Sequence, residues 1–473
     1  MITSAYARPW RRPVTVALGV LLVGLDNYVL VNALPALSAR LRTDTASLRW
    51  VIAAYSLAWL CSLLPAERLG DLLGHRRLLL AGLALFGSAS LAAALVTTVG
   101  PLIGLRAVMG ASAAVIMSQT LASLATASPG ENRSRAVAAA SVAAMLGLPL
   151  GPLATGVLLT HFSWSSIFLL NLPITAAAMV AAALAVPDHR RAGAPPMDWP
   201  GLALSAAGVT ALTYGVIAGP TVGWTSPGVR ASLTAAALLL AAFARHELTT
   251  AAPLVELRLL TDRRIVPALL AGLTGTLAIT GTLLVVAPFL LFVQHQSPLA
   301  TGVKLLPLAV GVAVGGAVSE RLTTWSSERS ALTLGLLLAA AGQASLAGLG
   351  PTSGYEPVGS ALGLLGIGLG VASPIATDTV LDTLPTARAR AGSRLSRWFQ
   401  NLGGALGAAL PGSALDLVYR ARSGGVDGAL RLPVDAAAYC SGIRCAAGLS
   451  CFLLVLTALC VALLQPYRTV DEL

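Results

Sequence analysis

Charge is scarce in this sequence. Of 473 residues, 11% are Asp, Glu, Lys or Arg, while 56% are hydrophobic. A soluble chain of that length must still cover its core with polar side chains, and the amphipathic helices that would do so are nearly absent. Acid is scarcer than base, 20 residues against 31, for a formal charge of +11. The basic residues sit in short segments between apolar runs, with no basic recognition helix and no basic-aromatic pattern, which excludes nucleic acid as a partner. Five histidines, at 75, 161, 189, 246 and 295, lack ligand spacing, so no metal site and no cofactor is expected. There is no Walker A sequence and no room for a soluble ATPase domain. No Ser–His, metal or paired-acid constellation argues for an enzyme.

What the chain has is apolar runs of about 20 residues, each long enough to cross ~30 Å of hydrocarbon as a helix. Spans are expected near 13–34, 47–67, 77–97, 99–121, 136–159, 164–186, 199–219, 229–244, 265–293, 301–321, 330–349, 357–384, 398–419 and 445–466. The first has a basic flank but is too long for a signal peptide and reads as an uncleaved helix. Of the 31 basic residues, 21 fall in segments that this map places inside, so both termini are expected in the cytoplasm. Arg40, Arg42 and Arg49 in the first outer segment run against the bias.

Six spans precede the polar link "VPDHRRAGAPPMD". Two follow it, then a charged segment from Arg245 to Arg264, then six more. The expected architecture is an all-α polytopic membrane protein of two six-helix bundles, 1–190 and 263–473, joined by 191–262 with an inserted helix pair. Repeated bundles of this kind commonly carry alternating-access transport with a site near the midplane.

One carboxylate stands out. Asp26 interrupts "GVLLVGLDNYVLVNALPAL", and an acid inside a span is a functional candidate because its ionised form is costly in lipid. Arg106 lies at a similar depth in the fourth span. If both face one cavity, the positive charge favours the ionised acid and burial the neutral one, which suits a group that exchanges a proton with substrate. A structural ion pair that never titrates is the alternative. Tyr28, within a turn of Asp26, is a candidate substrate contact. Asp378, near the inner third of the twelfth span, is a second candidate for coupling or for binding a cationic substrate. Cys440 and Cys445 in "YCSGIRC" fall in the expected last outer loop, where a disulfide is permitted and two free thiols are equally compatible.

Several motifs resemble the major facilitator superfamily, and within it the fourteen-span drug:proton antiporters. "LDNYVLVNALPAL" is similar to their first-helix signature through Asp26, Asn32 and Pro35, with Tyr28 where Thr is usual. "WVIAAYSLAW" is similar to the second-helix opening. "ERLGDLLGHRRLL" resembles the superfamily loop through Leu69, Asp71, Gly74, Arg76 and Arg77, with Glu67 in place of the leading Gly. "RAVMG" supplies the membrane Arg, Arg106, with Gly110; "GLPLGPLATG" matches the antiporter helix through Gly147, Gly151, Pro152 and Gly156; "FSWSSIFLLNLP" matches the sixth-helix entry, with Ser165 where Arg is common. The resemblance implies export of lipophilic or cationic compounds in exchange for protons by a monomer in the cytoplasmic membrane. It gives Asp71 and its neighbours, Glu67 among them, a role in closing the cytoplasmic side, and Asn32 a place by the cavity. Gly147, Gly151, Gly156 and Pro152 would set close packing and a bend in the fifth helix. The alternative is uptake or facilitated passage of a small metabolite.

Overall fold

The computed structural model describes residues 11–41, 43, 45–125, 147, 150–151, 153–186, 198–250, 253–385, 389–422 and 435–465. Among them there is no strand. Among the described residues, eleven helices are long and apolar enough to cross a bilayer, and the first two elements add apolar stretches at Ala17–Asp26 and Trp50–Leu63. The protein is a nearly all-helical, multi-pass membrane protein.

The elements are α1 (Arg11–Leu41), α2 (Thr45–Leu73), α3 (His75–Leu95), α4 (Val99–Ala125), α5 (helical residues 153–161), α6 (Ser166–Leu169), α7 (Asn171–Ala185), α8 (Trp199–Val222), α9 (Pro227–Thr249), α10 (Ile265–Pro288), α11 (Pro298–Lys304), α12 (Leu306–Trp325), α13 (Glu328–Ala347), α14 (Tyr355–Asp382), α15 (Ala389–Arg422) and α16 (Ala436–Leu464). Several boundaries follow from capping chemistry. Asp198, Ser226, Ser297, Ser327 and Asp435 each turn a side-chain oxygen onto free N–H groups of the helix they start. Pro227 and Pro298 occupy the first helical position, where no donor is lost. Gly74 joins α2 to α3 at φ 102°, a backbone conformation that glycine adopts without a Cβ penalty.

The described chain divides into two compact units. The first holds residues 1–42 and 54–197, the second 43–53 and 198–473. The inserted pair α8–α9 packs within the second unit. Ser413 of α15 donates to the Val216 carbonyl of α8 (2.9 Å), and Trp398 of α15 stacks on Phe243 of α9 at 6.4 Å between centroids. Ala53 of α2, Val216 and Ile217 of α8 and Ala409 of α15 form one apolar cluster in this unit.

The glycine-rich "GLLGIGLG" of α14 serves packing. Gly366 and Gly370, four residues apart, lie against the backbone of α12 at Gly311 and Gly315, while Gly368, on the other side, lies against α13 at Gly335. A Cβ at any of them would collide with backbone, so α14 is held between two neighbours at close range.

The structure corrects two expectations. The helix expected at 398–419 begins at Ala389, because the basic "ARAGSRLSRW" continues the helical turn beyond the hydrocarbon. Cys440 and Cys445 do not lie in a loop. Asp435 caps α16 immediately before them, both thiols are free, and Cys440 is buried while Cys445 is exposed. Five residues along a helix separates two Cα atoms by ~7.5 Å of rise and turns their side chains to different faces, too far for an unstrained disulfide. Most of the expected fifth span lies outside the described residues.

Candidate functional site

The acid predicted to be out of place lies at the centre of a buried polar cluster in the first unit. Asp26 and Arg106 are 4% and 1% exposed, and Arg106 Nη1 donates to Asp26 Oδ2 at 2.7 Å. Asn171, the first residue of α7, donates from Nδ2 to Asp26 Oδ1 at 2.8 Å and to Ser90 Oγ of α3 at 3.1 Å. Ser90 in turn donates to the Phe168 carbonyl at 2.8 Å. Tyr55 of α2 lies beneath the guanidinium, whose carbon is 4.2 Å from the ring centroid, a cation–π arrangement that favours the charged Arg where water is excluded. The Tyr55 hydroxyl has no hydrogen-bond partner among the described residues.

Local sequence explains why these groups meet. Gly110, one turn beyond Arg106, lies on the backbone of Tyr55, and Gly147 lies on the backbone of Gly24. Gly110 thus lets α4 approach α2 closely enough for Tyr55 to lie under Arg106, and Gly147 brings the fifth helix onto α1 beside Asp26. Thr155 of α5 donates to the Val29 carbonyl at 2.8 Å, one turn along α1 from Asp26. Chemically, the cluster sets one carboxyl group against one guanidinium, with both carboxyl oxygens engaged. A proton on that carboxylate removes half of a buried ion pair and leaves the guanidinium uncompensated.

A second cluster forms at the α2–α3 junction. His75 stands 3.6 Å from Asp71 and 2.7 Å from Gln119 Oε1 of α4. Gln119 Nε2 donates to the Ala66 carbonyl at 2.7 Å, so Oε1 accepts and the His75 Nδ1 carries the hydrogen. Gly70 leaves the space for this bond. Arg76 and Arg77 follow His75 at the surface. In the inserted pair, His246 Nε2 lies 2.8 Å from Asp198, tying the end of α9 to the start of α8.

Of the sequence-predicted residues, Asp26 and Arg106 come together directly, and Asp71, Gly74, Arg76 and Arg77 share one turn. Asp378 lies exposed on α14 of the second unit, with Asp382 and Glu328 as its charged neighbours. It is not part of a buried polar cluster. Tyr28, Asn32 and Glu67 lie in α1 and α2, but their side chains fall outside the described residues, as does Pro152. Gly151 accepts from Thr155 and Gly156 from Thr160 within the same helix. Sequence reasoning missed Asn171, Ser90, Tyr55, His75 and Gln119. Asn171 sits inside the quoted "FSWSSIFLLNLP", yet the partners it joins are 81 and 145 residues away.

A second-unit counterpart is also visible. "AERLGDLLGHRRLLLAG" (66–82) and "SERLTTWSSERSALTLG" (319–335) share Glu, Arg, Leu, Arg, Leu and Gly at equal offsets. Tyr55 and Leu308 are related by the same offset, and their carbonyls are met by Gly110 and Gly366 respectively. Ser90 corresponds in this way to Gln343 of α13, which donates to Thr282 Oγ1 of α10 at 2.7 Å. Carrying the Gly110–Gly366 match back one turn makes Leu362 the counterpart of Arg106. Gly147 meets Gly24 as Gly403 meets Leu273, which makes Gly275 the counterpart of Asp26.

Comparison with known proteins gives this arrangement a family. The model of the Major Facilitator Superfamily matches residues 16–408. The tetracenomycin C resistance and export protein of Streptomyces glaucescens is 30% identical over 86% of this chain and 76% of its own length. The methyl viologen resistance protein SmvA of Salmonella typhimurium is 32% identical over 88% and 84%. The multidrug efflux pump LfrA of Mycolicibacterium smegmatis is 28% identical over 88% and 83%. Among solved structures, a peptide transporter POT in complex with sulfate superposes with a TM-score of 0.67 at 15% identity, covering 97% of this chain and 96% of that one. The xylose transporter XylE from E. coli gives 0.64 at 13%, covering 98% of each. These likenesses extend over nearly the whole chain and fix the fold.

Proposed function

Because this chain belongs to the Major Facilitator Superfamily, and is therefore a transporter and not an enzyme, we propose that it exports hydrophobic or cationic compounds, drugs or antibiotic-like natural products, across the cytoplasmic membrane in exchange for protons. Support for the cargo class comes from relatives whose names record resistance to tetracenomycin C, methyl viologen and puromycin. Support for the proton comes from one observation, the buried Asp26–Arg106 pair.

The coupling runs through the cost of breaking that pair. With Asp26 ionised, Arg106, Asn171 and Tyr55 hold the first unit in the arrangement described. A proton on the carboxylate removes its attraction for Arg106, and an unpaired buried guanidinium costs several kcal/mol. Any conformation that hydrates Arg106 is then favoured by the same amount, which is how a proton shifts a conformational equilibrium. Asp71, Gly74, Arg76 and Arg77 are assigned to the cytoplasmic gate, where His75 and Gln119 fix the geometry of the α2–α3 turn. Gly147, Gly151, Pro152 and Gly156 are assigned to close packing of the fifth span against α1. The protein works as a monomer with both termini in the cytoplasm.

Proteoliposomes test this reading. Tetraphenylphosphonium, a lipophilic cation, should accumulate when the lumen is more acidic than the medium, and a protonophore should collapse the accumulation. Equal flux with and without the gradient contradicts proton exchange.

A further inference from the structure

We propose that Asn171 is a positioning residue for proton binding at Asp26. It holds the carboxylate in its ionised, Arg106-paired form and so sets the pH at which the pair opens. This inference rests on the proton-exchange reading above and adds to it the group that opposes the proton.

The orientation of the amide follows from its partners. Ser90 Oγ–H is committed to the Phe168 carbonyl at 2.8 Å, so the hydroxyl oxygen faces Asn171 as an acceptor. One hydrogen of the Asn171 amide nitrogen goes to that oxygen at 3.1 Å, and the other goes to Asp26 Oδ1 at 2.8 Å. Turning the amide over would place its carbonyl oxygen against a carboxylate oxygen and against a hydroxyl whose proton is already used. The amide therefore donates. A hydrogen bond donated to an acid favours its charged form.

Both oxygens of Asp26 are thus engaged, Oδ2 by a full positive charge and Oδ1 by a neutral amide. A proton arriving from water adds to the oxygen whose bond is weaker, Oδ1. The new O–H then faces an N–H, donor against donor. That contact is relieved when the amide inverts to accept and Ser90 rotates its hydroxyl from Phe168 to the inverted carbonyl. Among the described residues, the titratable or charged groups facing Asp26 are Arg106 from α4 and Tyr55 from α2. From α3 and α7 come Ser90 and Asn171, which do not titrate. Asn171 is 1% exposed and Ser90 0%, so neither donor is replaced by bulk water when it is removed.

The experiment is the pH profile of tetraphenylphosphonium transport in proteoliposomes, with the gradient held constant while the pH on both sides is stepped. Four proteins are compared with wild type: Asn171→Leu, Ser90→Ala, Ser90→Thr and Asp26→Asn. Asn171→Leu should move the midpoint upward by about one pH unit, a tenfold gain in proton affinity, with KM for tetraphenylphosphonium unchanged. Ser90→Ala should move it the same way by less, and Ser90→Thr should restore it. If Asn171→Leu fails to fold, the Ser90 pair decides, through the same shift and its rescue. A wild-type midpoint that disappears in Asp26→Asn but stays put in Asn171→Leu and Ser90→Ala overturns the role of Asn171 alone. A flat profile in wild type and Asp26→Asn alike removes the proton-exchange reading as well.

Discussion

The two units repeat one framework and differ at its centre. In the first, α1, α3, α4 and α7 close on Asp26, Ser90, Arg106 and Asn171, an ionic cluster sealed from solvent. In the second, the positions corresponding to Asp26, Ser90 and Arg106 hold Gly275, Gln343 and Leu362, and the polar contact at them is neutral, Gln343 to Thr282. Helix spacing is set alike in both, by glycines on opposing carbonyls. Those corresponding positions carry no charge, so the shared framework does not require a buried charge pair at this place. A pair that stability does not demand, and that a hydrophobic replacement often matches in stability, is better explained by a task in transport.

That comparison is open to direct attack. The largest effect should come from Arg106→Leu, which gives the first unit the residue of the second and strands Asp26. Unfolding in detergent should show a loss of about 3–5 kcal/mol, and transport should be abolished. Adding Asp26→Gly to it removes the stranded charge as well. Most of the stability should return while transport does not, a non-additivity expected of contacting residues. If the double variant is as unstable as the single one, the pair is structural and the comparison fails.

Smaller changes sharpen the point. Gly110→Ala and Gly366→Ala place the same Cβ on matched carbonyls, and each should cost about 1–3 kcal/mol through overpacking. Thermal unfolding that shows one near neutral would break the structural match. The smallest effect belongs to Gln343→Leu. It removes a neutral hydrogen bond worth about 1 kcal/mol and should leave the pH dependence of transport as in wild type.

The fold was legible in the sequence because bilayer thickness forces apolar runs of a set length, and "TTVGP" and "THFSW" mark the breaks between runs. Asp26 and Arg106 were legible for the same reason: a charge shows clearly against an apolar background. Asn171 and Ser90 were not. A small polar residue within an apolar helix is unremarkable, and its partners lie 78 or more residues away on other helices. "YCSGIRC" misled because Arg444 lowers the local hydropathy, although Asp435 had already started a helix whose alanines carry it through. Asp378 resembled Asp26 only as an acid within an apolar span, and position along a span does not say which face of a helix a side chain occupies.

The central claim is that the proton used for transport binds at Asp26. Purified protein in weakly buffered detergent solution, with a pH indicator present, should release protons when tetraphenylphosphonium is added. Asp26→Asn should bind the same cation and release none. Equal proton release from both proteins would contradict the account.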